Sequence, residues 1–541
     1  MVSTGLLIFS TPLRALTSQI SLILQLANNH VNKTLYIHLQ PITHEILPPR
    51  TSIVYTPIEK HACTKLISLI YTTAYDICSN LDVRILLDPG VKDLKIETRR
   101  PTTKKFDVIL TNYKSKIELN AYLKAQFQEN TENVPIVHLE TEKLTEDPLS
   151  ASYDPSEDEW KEYNNIVLGG TFDRLHSGHK ILLTEALIRC RQKLTVGVTN
   201  ETMIQRKVLR ELILPTELRI RDVEEFIDDV KPNVDHFVTP ISDPFGPSIV
   251  DPELDCIVVS EETIKGGLLV NEERTKKELK VLDYCMVNLV FDAHHGAHEE
   301  LKISSSSQRI RLLGKRIKNP EPKPELPKYP YLIGLTGGIC SGKTNITNYL
   351  ESLGMAVIHS DQIAHGTYLP GTLVYNKILT EFGDDIVGSD DLINRRKLGE
   401  LVFENPDRLN KLNEIVWPAV EVELTNEITR NSALGKRLIV LEIPVLIESG
   451  MTRLVHEVWV SIIPRAEAIQ RIQRRDKLSF QQAQQRVDAQ ISNETRVAAA
   501  NVVFCSAWEK EYTRKQVEIA WNELNDYLSL KNESSSAENK L

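Results

Sequence analysis

The chain has 541 residues, 41% of them hydrophobic and 26% charged, a balance that supports several apolar cores and excludes a largely disordered protein. Its 64 Lys and Arg against 74 Asp and Glu leave a formal net charge of −10, the wrong sign for a general nucleic-acid or anionic-membrane surface. The seven scattered cysteines show no CxxC spacing, which excludes a zinc ribbon or disulfide framework and fits a reducing compartment, and no apolar run approaches the roughly 20 residues of a membrane-spanning helix.

At about 100 to 200 residues per domain the length predicts roughly three domains. Residues 1–145 read as an α/β domain: a strand GLLIFS, a helix through PLRALTSQISLILQLANN and a strand TLYIHLQ, followed by β-rich runs RILLD and FDVILTN and a helical stretch IELNAYLKAQFQ. No motif there names a chemistry. The first helix has Arg14 at its start and no acidic residue precedes Glu45, so a mitochondrial presequence is its alternative reading, against which stands its low Arg content; docking to a mitochondrial membrane or to a protein is a further use of this domain. Residues 146–162, EDPLSASYDPSEDEWKE, are acidic with Pro148 and Pro155 and predict an exposed linker.

Residues 163–315 form the next predicted domain. NNIVLGGTFDRLHSGHKILLTEAL reads as an apolar strand, a turn at Gly169, Gly170 and Thr171, and a helix starting near Ser177 or Gly178. His176 and His179 stand three apart around Gly178, so one helical turn carries both rings to an N-terminal end whose dipole favours phosphate. Two imidazoles can donate hydrogen bonds to a phosphorus centre gaining negative charge. Metal ligation is the rival use and lacks a third ligand at close spacing. Farther on come Lys207, Arg219 and Arg221, then KISSSSQRIR with Ser304, Ser305, Ser306 and Arg309. His294, His295 and His298 in DAHHGAHEE sit beside acids and read as surface.

Residues 316–330 hold Pro320, Pro322, Pro324, Pro327 and Pro330, a stiff and extended linker. In the third domain, residues 331–530, a strand YLIGLT leads into Gly337, Gly338, Ile339, Cys340, Ser341, Gly342, Lys343 and Thr344, the G-x-x-x-x-G-K-[ST] phosphate loop in its strand, loop, helix setting. Its backbone N–H groups would cradle ATP phosphates, Lys343 would reach the β and γ phosphates, and the Thr344 hydroxyl would ligate Mg²⁺. A second strand delivers Asp361, a proton acceptor or else a helix N-cap, and RLIVLEIPVLIESG ends a third near Glu442. Arg471, Arg474 and Arg475 crowd a segment that reads as a lid or as a solvated helix face. The tail 531–541 is polar and predicts disorder.

IGLTGGICSGKT, SDQIA, PGTLVYNKILTEFGDDIV, INRRKLGELVF, LEIPVLIESG and RRDKLSFQQAQQRVDAQ together resemble the dephospho-coenzyme A kinases over about residues 331–528. The resemblance implies transfer of the ATP γ-phosphoryl group to the ribose 3′-hydroxyl of dephospho-coenzyme A, with Asp361 as base, Lys343 on phosphate, and Arg395 and Arg475 as substrate and lid arginines. Cys340 departs from a glycine of the bacterial loop, Trp417 from a histidine, and Cys505 from an asparagine near adenine. The stretch around His176 and His179 resembles the HxGH nucleotidyltransferases, a Rossmann-like superfamily whose serine-rich ISSTxxR-type motif this chain supplies at Ser304–Arg309. Related enzymes keep phosphate-binding cations where Lys207, Arg219 and Arg221 fall. DPFGPSIVDPELDCIVVSEETIKGGLLVNEER is similar to the eukaryotic phosphopantetheine adenylyltransferase branch.

From about residue 160 onward the chain thus resembles the bifunctional coenzyme A synthases, and the expected substrates are 4′-phosphopantetheine, dephospho-coenzyme A and ATP. Nucleic acid is not an expected partner. The resemblance places the protein in the cytoplasm with association at mitochondria. One rival is a lipid-precursor cytidylyltransferase fused to a nucleoside kinase, against which stands the missing RTEGVSTS signature. The other is a coenzyme A-sensing scaffold with decayed sites, against which stand the intact Lys343, Thr344, His176, His179 and Arg309.

Overall fold

A computed structural model describes residues 1–9, 17–39, 57–87, 105–127, 131, 133–140, 160–403 and 405–538. The expected linker at 146–162 lies almost wholly outside them. Three parallel five-stranded sheets carry the described chain, in two compact units, Met1–Gln308 and Arg309–Leu541. Parallel strands are covered on both faces and therefore need near-continuous apolar runs. Leu6–Ile8, Ile166–Leu168 and Leu332–Leu335 provide them.

The first sheet has the order β3-β2-β1-β4-β5, from β1 (Val2–Ile8), β2 (Val31–His38), β3 (Asp82–Leu86), β4 (Val108–Thr111) and β5 (Ile136–His138). Its helices are α1 (Ile20–Asn28), α2 (Pro57–Ile77) and α3 (Lys116–Phe127). The strand, helix, strand opening expected from the sequence is present. α1 turns Ile20, Ile23, Leu24 and Ala27 into the core, so its apolar stripe is used in packing.

The second sheet has the order β10-β9-β6-β7-β8. It is built from β6 (Tyr163–Gly170), β7 (Cys190–Thr199), β8 (Asp235–Ile241), β9 (Cys256–Ser260) and β10 (Asp283–Val287), with α4 (Ser177–Arg189), α5 (Thr216–Val230), α6 (Ile264–Lys276) and the short α7 (Ser305–Ile310). The first sheet and the second share one core. Leu66, Ile67, Ile70 and Tyr71 of α2 belong to the same buried cluster as Ile181, Leu183, Ala186 and Leu187 of α4. The sequence predicts 1–145 as a separate domain; in the fold its described residues form one unit with the HxGH segment because two amphipathic helices cover each other.

The third sheet, β12-β13-β11-β14-β15, holds β11 (Tyr331–Gly337), β12 (Ala356–His359), β13 (Leu438–Glu442), β14 (Glu457–Ile462) and β15 (Val502–Cys505). α8 (Lys343–Ser352) follows the phosphate loop and α9 (Ser360–Thr367) follows β12. α10 (Leu373–Phe382), α11 (Arg395–Phe403) and α12 (Pro406–Ala433) build a satellite core around Tyr375, Ile378, Leu398 and Val402. α13 (Arg465–Asp476), α14 (Phe480–Asp488) and α15 (Asn493–Ala499) lie between β14 and β15, and α16 (Lys510–Glu538) closes the chain.

Two expectations change here. The proline-rich linker is extended but anchored, with the Ile317 N–H on the Asn501 carbonyl at 2.8 Å and Lys323 Nζ on the Thr452 and Val455 carbonyls, each at 2.5 Å. The tail read as disordered from 531 is helical to Glu538, because a helix already nucleated gains a hydrogen bond for each residue it adds. Among the described residues no helix is long and apolar enough to cross a membrane.

Candidate active sites

In open parallel sheets ligands bind beyond the C-terminal ends of the strands, where the strand order reverses. β6 lies between β9 and β7 and ends in Gly169–Gly170, while β11 lies between β13 and β14 and ends at Gly337. Both phosphate loops therefore leave their sheets at a reversal point.

In the first site the turn after β6 is fixed by a buried aspartate. Asp173, 1% exposed, accepts the Leu214 N–H at 3.1 Å and Arg174 Nη1 at 2.9 Å. Its neighbours Phe172 (φ 49°) and Arg174 (φ 48°) take left-handed backbone, a conformation that costs an L-residue about 1 kcal/mol. Arg219 is fully buried and donates to the carbonyls of Leu214 at 2.8 Å, Thr171 at 2.7 Å and Thr199 at 2.8 Å, and to Thr216 Oγ1 at 2.8 Å. It was expected among the phosphate cations; four of its five N–H groups instead tie the glycine turn to the end of β7, because a buried guanidinium must satisfy its donors. Arg221 is exposed on α5.

His176 caps α4 in extended conformation, and its ring stacks on that of His179 with centroids 3.8 Å apart. Gly178 allows this approach, since a Cβ there would stand 3.2 Å from the His176 ring. Nδ1 of His179 is buried and has no hydrogen-bond partner, and burial pushes the ring down to about 4, helped by the charge of Lys207 and opposed by Asp173. The imidazole is therefore neutral at pH 7 and carries one N–H donor. Lys207 is exposed and acts on both His179 and Lys302, a cation missed in the sequence.

The serine-rich motif reaches this turn. Ser305 Oγ donates to the Asp173 carbonyl at 3.3 Å and lies 3.4 Å from His176 Nε2. Ser304 Oγ accepts the Ser307 N–H at 3.1 Å and donates to Ser307 Oγ at 3.2 Å, so this expected ATP ligand caps its own helix. Ser306 is half-buried beside Ser305, and Arg309 is 1% exposed in the last turn of α7. Among the described residues no group of three or more His, Cys, Asp or Glu is arranged to hold a metal ion, the 294–298 histidines included.

In the second site Gly337 has φ 156°, and a Cβ there would meet the Ser461 carbonyl at 2.3 Å. Cys340, at the position of a bacterial glycine, has φ 58°. The Ser341 carbonyl accepts Ser461 Oγ at 2.6 Å and Ser506 Oγ at 2.7 Å, while the Ile339 N–H donates to Gln490 Oε1 at 2.9 Å. Lys343 Nζ donates to the Gly337 carbonyl at 2.9 Å and the Gly338 carbonyl at 3.0 Å. Burial lowers its pKa, Glu442 and Asp361 raise it, and Arg496 lowers it further. Three further charges, expected or new, thus act on Lys343 at the loop. Thr344 lies exposed in the first turn of α8.

Asp361 is the second residue of α9, past the N-cap position that His359 occupies, so the N-cap alternative does not hold. Glu442 closes β13 and pairs with His359 Nδ1 at 2.5 Å. Arg496, absent from the sequence reading, is 3% exposed on α15, its Nη1 stands 3.4 Å from where a Gly338 Cβ would be, and its Nε is buried without a hydrogen-bond partner. Of the arginines read as a lid or a solvated helix face, Arg471 is spent on the Cys340 carbonyl at 3.2 Å, the Ser506 carbonyl at 2.5 Å and Ser506 Oγ at 2.9 Å. Arg475 pairs with Asp476 at 2.7 Å and its charge acts on Cys340. Arg395 starts α11, and its charge acts on His365 and Tyr368 together with that of Asp361. Gln516 grips both backbone groups of Cys505, at 2.8 and 2.9 Å.

Three family models match in chain order: the COASY N-terminal domain over residues 3–120, cytidylyltransferase-like over 167–313, and dephospho-CoA kinase over 331–507. The dephospho-CoA kinase of Carboxydothermus hydrogenoformans is 40% identical over 186 residues, 34% of this chain and 90% of that protein. That of Symbiobacterium thermophilum is 38% identical over 190 residues, 35% of this chain and 80% of that protein. A dephospho-CoA kinase domain-containing protein of Danio rerio is 35% identical over 198 residues, 36% of this chain and 86% of that protein. Through the unit that carries Lys343, Asp361 and Arg496, the chain belongs to the dephospho-CoA kinase family, and it joins that kinase to a cytidylyltransferase-like domain and a COASY N-terminal domain.

Proposed function

We infer that the chain performs the last two steps of coenzyme A biosynthesis, adenylyl transfer from ATP to 4′-phosphopantetheine and then phosphorylation of the dephospho-coenzyme A ribose 3′-hydroxyl. The observation that carries this is the pairing of an HxGH turn and a kinase phosphate loop, each at a strand-order reversal of its own sheet, such that the product of one chemistry is the substrate of the other.

In the first step a phosphate oxygen of phosphopantetheine attacks the α-phosphorus of ATP and pyrophosphate leaves. No covalent nucleophile is needed. His176, neutral His179, Lys207 and Arg309 orient the two anions and stabilise the charge on the transferring phosphorus. Gly169, Gly170 and Thr171 supply the turn against the phosphates, and Ser305 and Ser306 reach them from α7.

In the second step the ribose 3′-oxygen attacks the γ-phosphorus and ADP leaves. Asp361 accepts the hydroxyl proton, Lys343 and Arg496 hold phosphate oxygens, and Arg475 closes from the lid. The donor set suits Mg²⁺, which keeps several waters and needs few protein ligands beside substrate phosphates; the Thr344 hydroxyl would hold it, with Glu442 ordering its shell, and it would neutralise phosphate charge. We place the protein in the cytoplasm, with attachment to a mitochondrial membrane or a protein through its N-terminal domain; the seven cysteines, none in a disulfide, support a reducing compartment.

The test is mass analysis of the purified chain with 4′-phosphopantetheine, ATP and Mg²⁺, beside His179→Ala and Lys343→Ala. Wild type makes coenzyme A, Lys343→Ala accumulates dephospho-coenzyme A, and His179→Ala makes neither product. Untouched phosphopantetheine with wild type would refute the acceptor assignment.

A further inference from the structure

The N-terminal α/β segment, in which the sequence names no chemistry, touches the first site at two points on α2. The Tyr71 carbonyl accepts the Ser177 hydroxyl at 2.9 Å, between the two histidines of the turn. About one helical turn on, the Tyr75 hydroxyl donates to Asp292 Oδ2 at 2.9 Å and accepts from Gln308 Nε2 at 3.3 Å. Asp292 is fully buried at the base of the loop closed by the Phe291 and Lys302 bridge, and Gln308 lies on α7. Ser305, on that same helix, contacts the Asp173 carbonyl and approaches His176. One hydroxyl thus joins the loop that leads into the serine motif to the helix that bears it.

Other contacts of the N-terminal sheet hold the unit together away from α7. Lys180 Nζ meets Asp82 Oδ1 at 2.5 Å and the Val83 carbonyl at 3.0 Å, the Tyr36 hydroxyl meets Asp229 Oδ2 at 3.2 Å, and the Leu87 N–H meets the Val230 carbonyl at 2.9 Å. Tyr75 differs from these in gripping the helix that bears the serine motif.

We propose that Tyr75 is a positioning residue for adenylyl transfer, and that through it residues 1–140 set the serine helix α7 against the HxGH turn. The proposal rests on the adenylyltransferase reading of that turn. A misplacement of about 1 Å in a site that works by orientation costs on the order of 100-fold, and loss of one hydroxyl in a ring still packed in place should cost less.

The experiment compares full-length Tyr75→Phe with full-length Tyr36→Phe, which deletes a buried hydroxyl of the same segment that does not touch α7. The kcat of adenylyl transfer is expected to fall about 10-fold in Tyr75→Phe and less than about twofold in Tyr36→Phe. Phosphorylation of added dephospho-coenzyme A is expected to be unchanged in both. Amide hydrogen exchange over 304–310 is expected to quicken only in Tyr75→Phe. Equal first-step rates in the two variants overturn the proposal, whatever the exchange shows. Should wild type leave phosphopantetheine untouched, the adenylyltransferase reading falls by itself, and the exchange comparison, which needs no turnover, decides whether Tyr75 sets α7.

Discussion

The two phosphate loops sit at equivalent places in their sheets and are built from opposite materials. In the HxGH unit the donors at the turn are a stacked pair of imidazoles, of which His179 is held neutral, and the fixed charges Asp173 and Arg219 are buried as scaffolding. In the kinase unit fixed charges gather at the loop, with Glu442, Asp361 and Arg496 all acting on Lys343. The difference teaches that a guanidinium near a phosphate loop has no fixed role. Arg219 has four donors satisfied by the protein, whereas the buried Nε of Arg496 has no protein acceptor.

The largest effect that would break this comparison is on Arg219. Replacing it by Met takes a donor from three carbonyls and from Thr216 Oγ1, which keeps its bond to Glu201 Oε1, and should destabilise the first unit by about 3 kcal/mol, read as a lower urea midpoint, with kinase activity retained. Loss of adenylyl transfer without loss of stability would make Arg219 a ligand after all.

The next effect is one of pH. His179 has its folded value at about 4 against an ordinary 6.5, so between those limits the unfolded chain binds a proton that the folded site refuses. The associated stability is complete above pH 6.5 and is lost as the pH falls toward 4. From pH 7 to pH 5 the loss should be at most about 2 kcal/mol, trimmed by the partial exposure of the ring, and His179→Gln should flatten it in urea titrations at the two pH values. An identical slope in that variant would show that His179 is not held neutral by burial.

A change of similar size is expected at Arg496. Arg496→Met should lower the kinase rate about 30-fold, an effect of about 2 kcal/mol, and spare adenylyl transfer, while Arg496→Lys should recover part of the loss. Equal loss in both variants, accompanied by a lower melting temperature, would make it scaffolding like Arg219. The smallest effect belongs to Cys340. Cys340→Gly relieves left-handed backbone but loosens the unfolded chain, so the two terms oppose and stability should move by less than about 1 kcal/mol, with the kinase rate within about twofold.

The loops and their strands were legible in the sequence because parallel strands leave apolar runs and phosphate turns leave glycines at fixed spacing. The chemistry expected of Lys343, His176 and His179 was read from that spacing, and that of Asp361 from its strand end and the family resemblance. What holds the loops was not legible. Ser461 and Ser506 meet on the Ser341 carbonyl from 120 and 165 positions away, and Asp173 reaches Leu214 across 41. No periodicity encodes such pairs. The merging of the N-terminal sheet with the HxGH unit was hidden for a related reason, since an amphipathic helix such as α2 declares an apolar face but not the helix that will cover it.

The most direct test of two independent and consecutive sites is to mix the purified full-length variants His179→Ala and Lys343→Ala with 4′-phosphopantetheine, ATP and Mg²⁺. Neither variant alone should make coenzyme A from phosphopantetheine, and the mixture should make it, because the second variant releases the dephospho-coenzyme A that the first phosphorylates. If the mixture accumulates dephospho-coenzyme A, or makes nothing, while wild type makes coenzyme A, the account of two separable sites is contradicted.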